Sequence, residues 1–198
     1  MNKRNSAIDF ARGLVAICVV IGHLTKGKAG TFIFSFHMPF FFILSGYLFK
    51  DKLLDEGIFR FIKRKALHLL IPLFVYRAIG ILFGIYAKER TIKSILMALF
   101  WTPGAGYFFS SLFVAVIILW CFAWIARLIE KKYVFCLYSL TMVILVTVAI
   151  IYYEAGWHDY YLIPIRLDTT LLGIVFCMIG YVFSAHRSVF EAEGGVNY

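Results

Sequence analysis

Charged side chains are scarce in this sequence. Asp, Glu, Lys and Arg together make up 16% of its 198 residues, whereas hydrophobic residues make up 62%. A soluble domain averages about 25% charged and about 45–50% apolar residues. The deficit of charge is too large for the surface of a soluble domain. The composition therefore predicts a polytopic membrane protein.

Cysteine is also scarce, and its positions follow no metal-binding or disulfide pattern. The four cysteines lie inside apolar runs and no two form a C-x-x-C pair: Cys18, Cys121, Cys136 and Cys177. This arrangement indicates thiols that pack within helices, and it gives no support to a disulfide framework or a soft-metal site. We predict no metal site. The sequence also lacks internal repeats and low-complexity tracts.

The charges that are present are mainly positive. Lys and Arg number 20 against 11 Asp and Glu, which gives a net charge of +9. Basic residues of membrane proteins gather on the cytoplasmic side of the bilayer. The excess of positive charge therefore needs no nucleic-acid partner, and we predict none.

Long apolar runs dominate the chain. About 20 mostly apolar residues are needed to cross a bilayer as a helix. Six segments qualify: residues 7–25, 31–49, 67–87, 106–128, 133–153 and 166–185. We therefore predict an all-α fold, a transmembrane helix bundle of about six spans. Its transmembrane domain covers residues 1–185, and residues 186–198 form a short cytoplasmic tail.

The distribution of Lys and Arg predicts the orientation of these spans. With a cytoplasmic N-terminus, twelve of these residues fall in the inner segments and six in the outer ones. This is the asymmetry that the positive-inside rule predicts. The stretch 88–105 mixes charge with large apolar residues and predicts an interfacial helix ending in a Pro-Gly turn. Pro39 and Pro72 are expected near helix starts, where a missing N–H is tolerated.

The first span carries three ionisable residues in the stretch "IDFARGLVAICVVIGH", residues 8–23. Asp9 and Arg12 are helical neighbours at i and i+3. Arg12 and His23 are separated by about 20° around the helix and about 16 Å along it. One stripe therefore holds all three, and we expect it to face protein or a water-filled cavity. The alternative is an Asp–Arg pair snorkelling at the inner interface and a histidine at the outer one.

The second span, "FSFHMPFFFILSGYLF", brings another histidine to the same level. It runs from outside to inside, so His37 enters near the outer leaflet, as His23 does. The two imidazoles could build one site, and histidine is a usual general base. Alternatively, His37 caps the helix or lies among headgroups. Ser45 and Gly46 indicate close helix packing more than chemistry.

A basic run, "FRFIKRKALHLLIP" (residues 59–72), precedes the third span. Basic clusters immediately cytoplasmic of a span attract anionic lipid. They could equally bind the phosphates of a nucleotide-bearing cofactor, since Lys and Arg are strong phosphate partners. Charge alone leaves both interpretations open.

Taken together, these segments resemble the membrane-bound acyltransferase family 3, the bacterial integral-membrane O-acyltransferases, and within it the fucose 4-O-acetylase-like branch. The resemblance rests on "DFARGLVAICVVIGH" with its R-x10-H pattern, on "SFHMPFFFILSGY" and on the basic run ahead of "LLIP". A weaker match is "IRLDTTLLGIVFCMIGY", residues 165–181. The resemblance implies a multi-pass protein of the bacterial cell (inner) membrane.

The resemblance also implies an activity. Such enzymes move an acyl group, usually acetyl, from acyl-CoA to a hydroxyl that often belongs to a cell-envelope or exported carbohydrate. Acetyl-CoA would then be the donor substrate, and no tightly bound cofactor is implied. Arg12 and His23 match the R-x10-H pair. His23 would act as general base or carry the acyl group, and Arg12, paired with Asp9, would orient the thioester or fix the helix.

The remaining site residues follow from the same resemblance. The second basic motif of the family, R-x-x-R, aligns with Lys65 and His68, neither of which is Arg, although Arg64 stands beside them. These three residues would hold the CoA phosphates, and His37 would lie on the acceptor side. Tyr107 occupies the position of a family Trp.

Two other functions stay open at this point. A non-catalytic membrane module of the same family is favoured by the six predicted spans, which cover only about half of a typical family member, and by the altered R-x-x-R motif. A small transporter is favoured by polar residues within spans, although repeats and broken helices are lacking.

Overall fold

A computed structural model describes residues 6–25, 27–84, 91–101, 106–156 and 167–193. All regular structure within these ranges is helical, which confirms the all-α prediction. In chain order the helices are α1 (Ser6–Leu24), α2 (Lys28–Tyr47), α3 (Lys52–Asp55), α4 (Ile58–Leu82), α5 (Ile92–Trp101), α6 (Tyr107–Leu128), α7 (Lys131–Glu154) and α8 (Leu167–Glu193).

Six of these helices correspond to the six predicted spans. Within the described ranges, four stretches are long and apolar enough to cross a membrane: Lys28–Tyr47, Ile58–Leu82, Tyr107–Leu128 and Tyr133–Glu154. In α8 the apolar part is shorter, Thr169–Ala185. The bundle is thus a polytopic membrane fold, while the count of six and the cytoplasmic N-terminus stay predictions.

Helix bounds differ most from the predicted spans in two places. The third span was expected to start at residue 67, but α4 begins at Ile58, so the basic run belongs to its first turns. Charge excluded this run from an apolar segment, although Lys and Arg are good helix formers. At the other end of the chain, α8 continues beyond residue 185 to Glu193.

The prediction for the two prolines was wrong. Pro39 lies inside α2 and Pro72 inside α4, not near their starts. Transmembrane helices tolerate an internal proline because neighbouring helices and local adjustments satisfy the freed backbone groups. The expected helix in 88–105 is present as α5, and its Pro-Gly turn lies outside the described residues.

The core of the bundle forms where α2 lies against α8, and α6 and α7 also pack against α8. Glycines let these helices approach closely. A Cβ on Gly46 would overlap the backbone carbonyl of Cys177, and a Cβ on Gly180 would overlap that of Ile43. The prediction that Gly46 serves close helix packing is therefore confirmed. The largest fully buried side chains include Phe42, Phe61, Leu119, Ile174 and Met178.

Polar contacts tie several helix ends together at one end of the bundle, called here the basic end. The guanidinium of Arg127 donates to Asp55 Oδ1 at 2.7 Å and to the Asp51 carbonyl at 2.9 Å. The hydroxyl of Tyr181 donates to Asp51 Oδ1 at 2.8 Å. These contacts bring the C-terminal end of α6 and the C-terminal half of α8 to the segment that follows α2, so α2, α6 and α8 run in the same direction.

Candidate functional site

The two predicted site histidines share one aromatic neighbour. His23 lies in the last turn of α1, and its ring centre is 5.1 Å from that of Phe34 in an edge-on arrangement. The ring centre of His37 is also 5.1 Å from that of Phe34. The region around these three rings, called here the histidine site, thus brings together the imidazoles that the sequence predicted at one level.

His37 is buried and its tautomer is set by its own helix. Its Nδ1 lies 2.8 Å from the carbonyl oxygen of Ile33, one turn earlier in α2. A carbonyl can only accept, so Nδ1 carries the hydrogen and donates it. In the neutral ring, Nε2 then keeps its lone pair and can accept a hydrogen bond or a proton. His37 lies in mid-helix with 5% exposure, which does not fit a helix cap or an exposed headgroup contact.

The polar stripe of α1 has the predicted geometry on its own helix. Arg12 Nη1 lies 3.7 Å from Asp9 Oδ1. Val15 and Gly22 are buried on the side of α1 that packs against α2, whereas the side chain of Arg12 is 47% exposed. His23 is also exposed. The described helices therefore do not enclose this stripe, and the water-filled cavity beside it stays a prediction.

The predicted phosphate-binding residues lie on α4 at the basic end. Arg64 donates to Glu56 at 2.6 Å, and its guanidinium carbon is 5.9 Å from the ring centre of Phe61. The ammonium of Lys65 is 5.6 Å from the same ring centre. His68, one turn further along this face, is exposed. The structure thus brings Arg64 and Lys65 together on Phe61 and leaves His68 apart from that contact.

Arg77 lies within the predicted span 67–87, and the structure gives it a partner. Arg77 is 2% exposed, and its Nη1 donates to the carbonyl of Leu99 at 2.8 Å. Leu99 lies in the last turn of α5, where carbonyls lack partners within the helix and the dipole is negative. A buried cation fits this position, and it fixes α5 to α4. An arginine inside an apolar segment was the signal for such a role.

Two further polar contacts were missed because they join distant helices. The hydroxyl of Thr170 in α8 donates to Ser111 Oγ in α6 at 2.9 Å, and both residues are buried. Tyr107, at the start of α6, donates its hydroxyl to the sulfur of Met38 at 3.5 Å. Met38 is next to His37, so Tyr107 reaches the border of the histidine site. The one sequence signal for this contact was that Tyr107 occupies the position of a family Trp.

Comparison with known proteins identifies the family. Residues 5–192 match the family Acyl_transf_3, described as "Acyltransferase domain". The chain is 33% identical over 90 residues to nodulation protein NolL of Sinorhizobium fredii, which covers 39% of this chain and 25% of that protein. A second match, to nodulation protein NolL of Mesorhizobium japonicum, is 33% identical over 84 residues, which is 36% of this chain and 22% of that protein.

These matches span about a quarter of the length of the two relatives. No solved structure matches the chain significantly. The family match, in contrast, covers nearly the whole chain and includes α1 with Arg12 and His23, α2 with His37, and the basic start of α4. The chain therefore belongs to the acyltransferase 3 family.

Proposed function

We propose that this protein is an integral-membrane O-acyltransferase that moves an acetyl group from acetyl-CoA to a hydroxyl of a cell-envelope or exported carbohydrate. One observation carries the proposal: in a chain of an acyltransferase family, two imidazoles contact the same ring of Phe34, and Nε2 of His37 is free of the helix backbone. Imidazoles are the side chains best suited to moving a proton near neutral pH.

In the proposed reaction, His23 is the general base. It takes the proton of the acceptor hydroxyl as that oxygen attacks the thioester carbonyl, and a C–O bond forms while the C–S bond breaks. The proton then passes to the departing CoA thiolate, so the imidazole is regenerated. A variant of the same chemistry has His23 carry the acyl group between the two substrates.

His37 serves the acceptor in this scheme. Because Nδ1 is committed to the Ile33 carbonyl, Nε2 presents an acceptor of fixed direction. A sugar hydroxyl can donate a hydrogen bond to it, which orients the hydroxyl before attack. Burial makes this contact stronger than it would be in water.

The donor binds at the basic end. Arg64, Lys65 and His68 hold the phosphates of acetyl-CoA, and the pantetheine arm extends towards the histidine site. Arg12, with Asp9, orients the arm along α1, since about 16 Å separates Arg12 from His23 along the helix axis. A protein of the bacterial inner membrane would thus take the donor from the cytoplasm and meet the acceptor near the outer leaflet.

The experiment is a transfer assay on detergent-purified protein with radiolabelled acetyl-CoA and envelope glycans. We expect labelled glycan with the wild-type protein and none with His23→Ala. His186→Ala, near the end of α8, is the matched control and should retain activity. Equal activity in His23→Ala would remove His23 from the mechanism, and a folded wild-type protein without product would contradict the proposed activity.

A second candidate function is a non-catalytic membrane module of the same family. It is favoured by the exposure of Arg12 and His23, which none of the described helices encloses. The same assay decides between the two, because the module predicts a folded protein that transfers no label.

A further inference from the structure

The cations at the start of α4 differ in their surroundings. Arg64 and Lys65 lean on the buried ring of Phe61. Lys63 is exposed on the side opposite Phe61, and Arg60 is exposed about 100° from Phe61 around the helix. The basic run therefore holds two cations that contact Phe61, which were assigned to CoA, and two exposed cations, Arg60 and Lys63, which were not.

Arg60 and Lys63 have no ion pair or hydrogen bond with any residue in the described part of the chain. The acidic residues of the preceding segment are already engaged: Glu56 with Arg64, Asp55 with Arg127, and Asp51 with Tyr181. Two exposed positive charges, three residues apart on one helix face, are thus available to an anion from outside the protein.

The same face continues as an apolar strip towards the middle of α4. Leu67 is 50% exposed and Ile71 is 49% exposed, and they follow Lys63 at intervals of four residues. Because residues four apart lie one above the other on a helix, Arg60, Lys63, Leu67 and Ile71 form one line. From the basic end inward, the line presents two cations and then two aliphatic side chains.

We propose that Arg60 and Lys63 bind the phosphate of an anionic phospholipid, whose acyl chain lies against Leu67 and Ile71. The order of charge and apolar surface along the line matches the order of headgroup and hydrocarbon in a lipid leaflet. A soluble nucleotide would satisfy the two cations but not the apolar continuation. This lipid site uses other residues than Arg64, Lys65 and His68 and does not depend on the proposed acyl transfer.

The test measures lipid binding to the purified full chain by native mass spectrometry, with phosphatidylglycerol and phosphatidylcholine as probes. We expect the variant Arg60→Gln/Lys63→Gln to bind phosphatidylglycerol about thirtyfold more weakly, since each basic residue near a membrane surface contributes about fivefold. Binding of phosphatidylcholine should not change. The matched control is Lys50→Gln/Lys52→Gln, which removes two exposed cations of the basic end that lie off this line.

Three results would overturn the lipid site. They are unchanged binding of phosphatidylglycerol by the Arg60/Lys63 variant, an equal loss in the Lys50/Lys52 variant, and displacement of the lipid by an equal concentration of soluble glycerol phosphate. The last result would mean that the cations recognise phosphate alone. Should the double variant fail to fold in detergent, the single variants Arg60→Gln and Lys63→Gln are expected to lose about fivefold each, and no loss in either would contradict the proposal.

Discussion

Gly46 of α2 lies so close to Cys177 of α8 that a Cβ on the glycine would overlap the carbonyl oxygen of the cysteine. Backbone meets backbone at this point, so no side chain can rotate away to make room. This is how small residues allow close approach of transmembrane helices. It holds α2, which carries His37, against the helix with the most extensive contacts in the bundle.

Replacing Gly46 by alanine should therefore destabilise the protein. Forcing a methyl group into a packed contact costs about 1–3 kcal/mol. The thermal unfolding temperature in detergent should fall accordingly. Gly13→Ala is the matched control, because a Cβ at Gly13 meets nothing within 4 Å and alanine favours helix. Equal stability of the two variants would contradict the close contact.

A change at Glu56 should free Arg64 for a phosphate. Arg64 and Glu56 form a 2.6 Å ion pair with each side chain 36% exposed, so the pair contributes less than about 1 kcal/mol to stability. If Arg64 binds acetyl-CoA, Glu56→Gln should lower the KM for acetyl-CoA and Arg64→Gln should raise it, with kcat little changed. Steady-state kinetics at varied donor concentration measure this. Arg64 would be excluded from the donor site if the KM for acetyl-CoA rose in Glu56→Gln and fell in Arg64→Gln, or if it changed in neither variant.

The two nitrogens of His37 can be tested separately. His37→Asn keeps a donor for the Ile33 carbonyl and removes the group at Nε2, whereas His37→Gln keeps a polar group at Nε2 and loses the contact with Ile33. If Nε2 orients the acceptor, His37→Asn should remain folded and raise the KM for the acceptor about tenfold. His37→Gln should lose stability more than acceptor binding. If instead His37→Asn lost stability and His37→Gln lost acceptor binding, His37 would have a structural role.

Removing the guanidinium of Arg77 should release α5 from α4. Arg77→Gln is too short to reach the Leu99 carbonyl, so backbone hydrogen exchange in α5 should accelerate and stability should fall by about 1–3 kcal/mol. Hydrogen exchange followed by mass spectrometry resolves α5 from the rest of the bundle. Lys93→Gln, an exposed position on α5, is the control and should leave the exchange pattern unchanged. Slow exchange in the Arg77 variant would mean that other contacts hold α5.

Periodicity along single helices was enough to predict much of the fold. The apolar runs gave six long helices near their observed positions, and helical spacing gave the contact of Asp9 with Arg12. The shared level of His23 and His37 followed from a short connection between two antiparallel spans.

What could not be predicted are the contacts between helices that are distant in sequence. The helical period gives the angular position of a residue on its own helix. It does not say which other helix lies on that side. The contacts of Arg77 with Leu99 and of Asp51 with Tyr181 depend on such neighbours. The early start of α4 was missed for another reason: its first turns are charged yet helical.

The contact of α2 with α8 also determines when α2 can complete its packing. Asp51 and Tyr181, which close this contact at the basic end, are 130 residues apart in the chain. During translation, α2 enters the bilayer long before its main partner has left the ribosome. The glycine-containing face of α2 therefore lies in lipid until α8 is made, and α8 completes the packing of a helix that entered the bilayer much earlier.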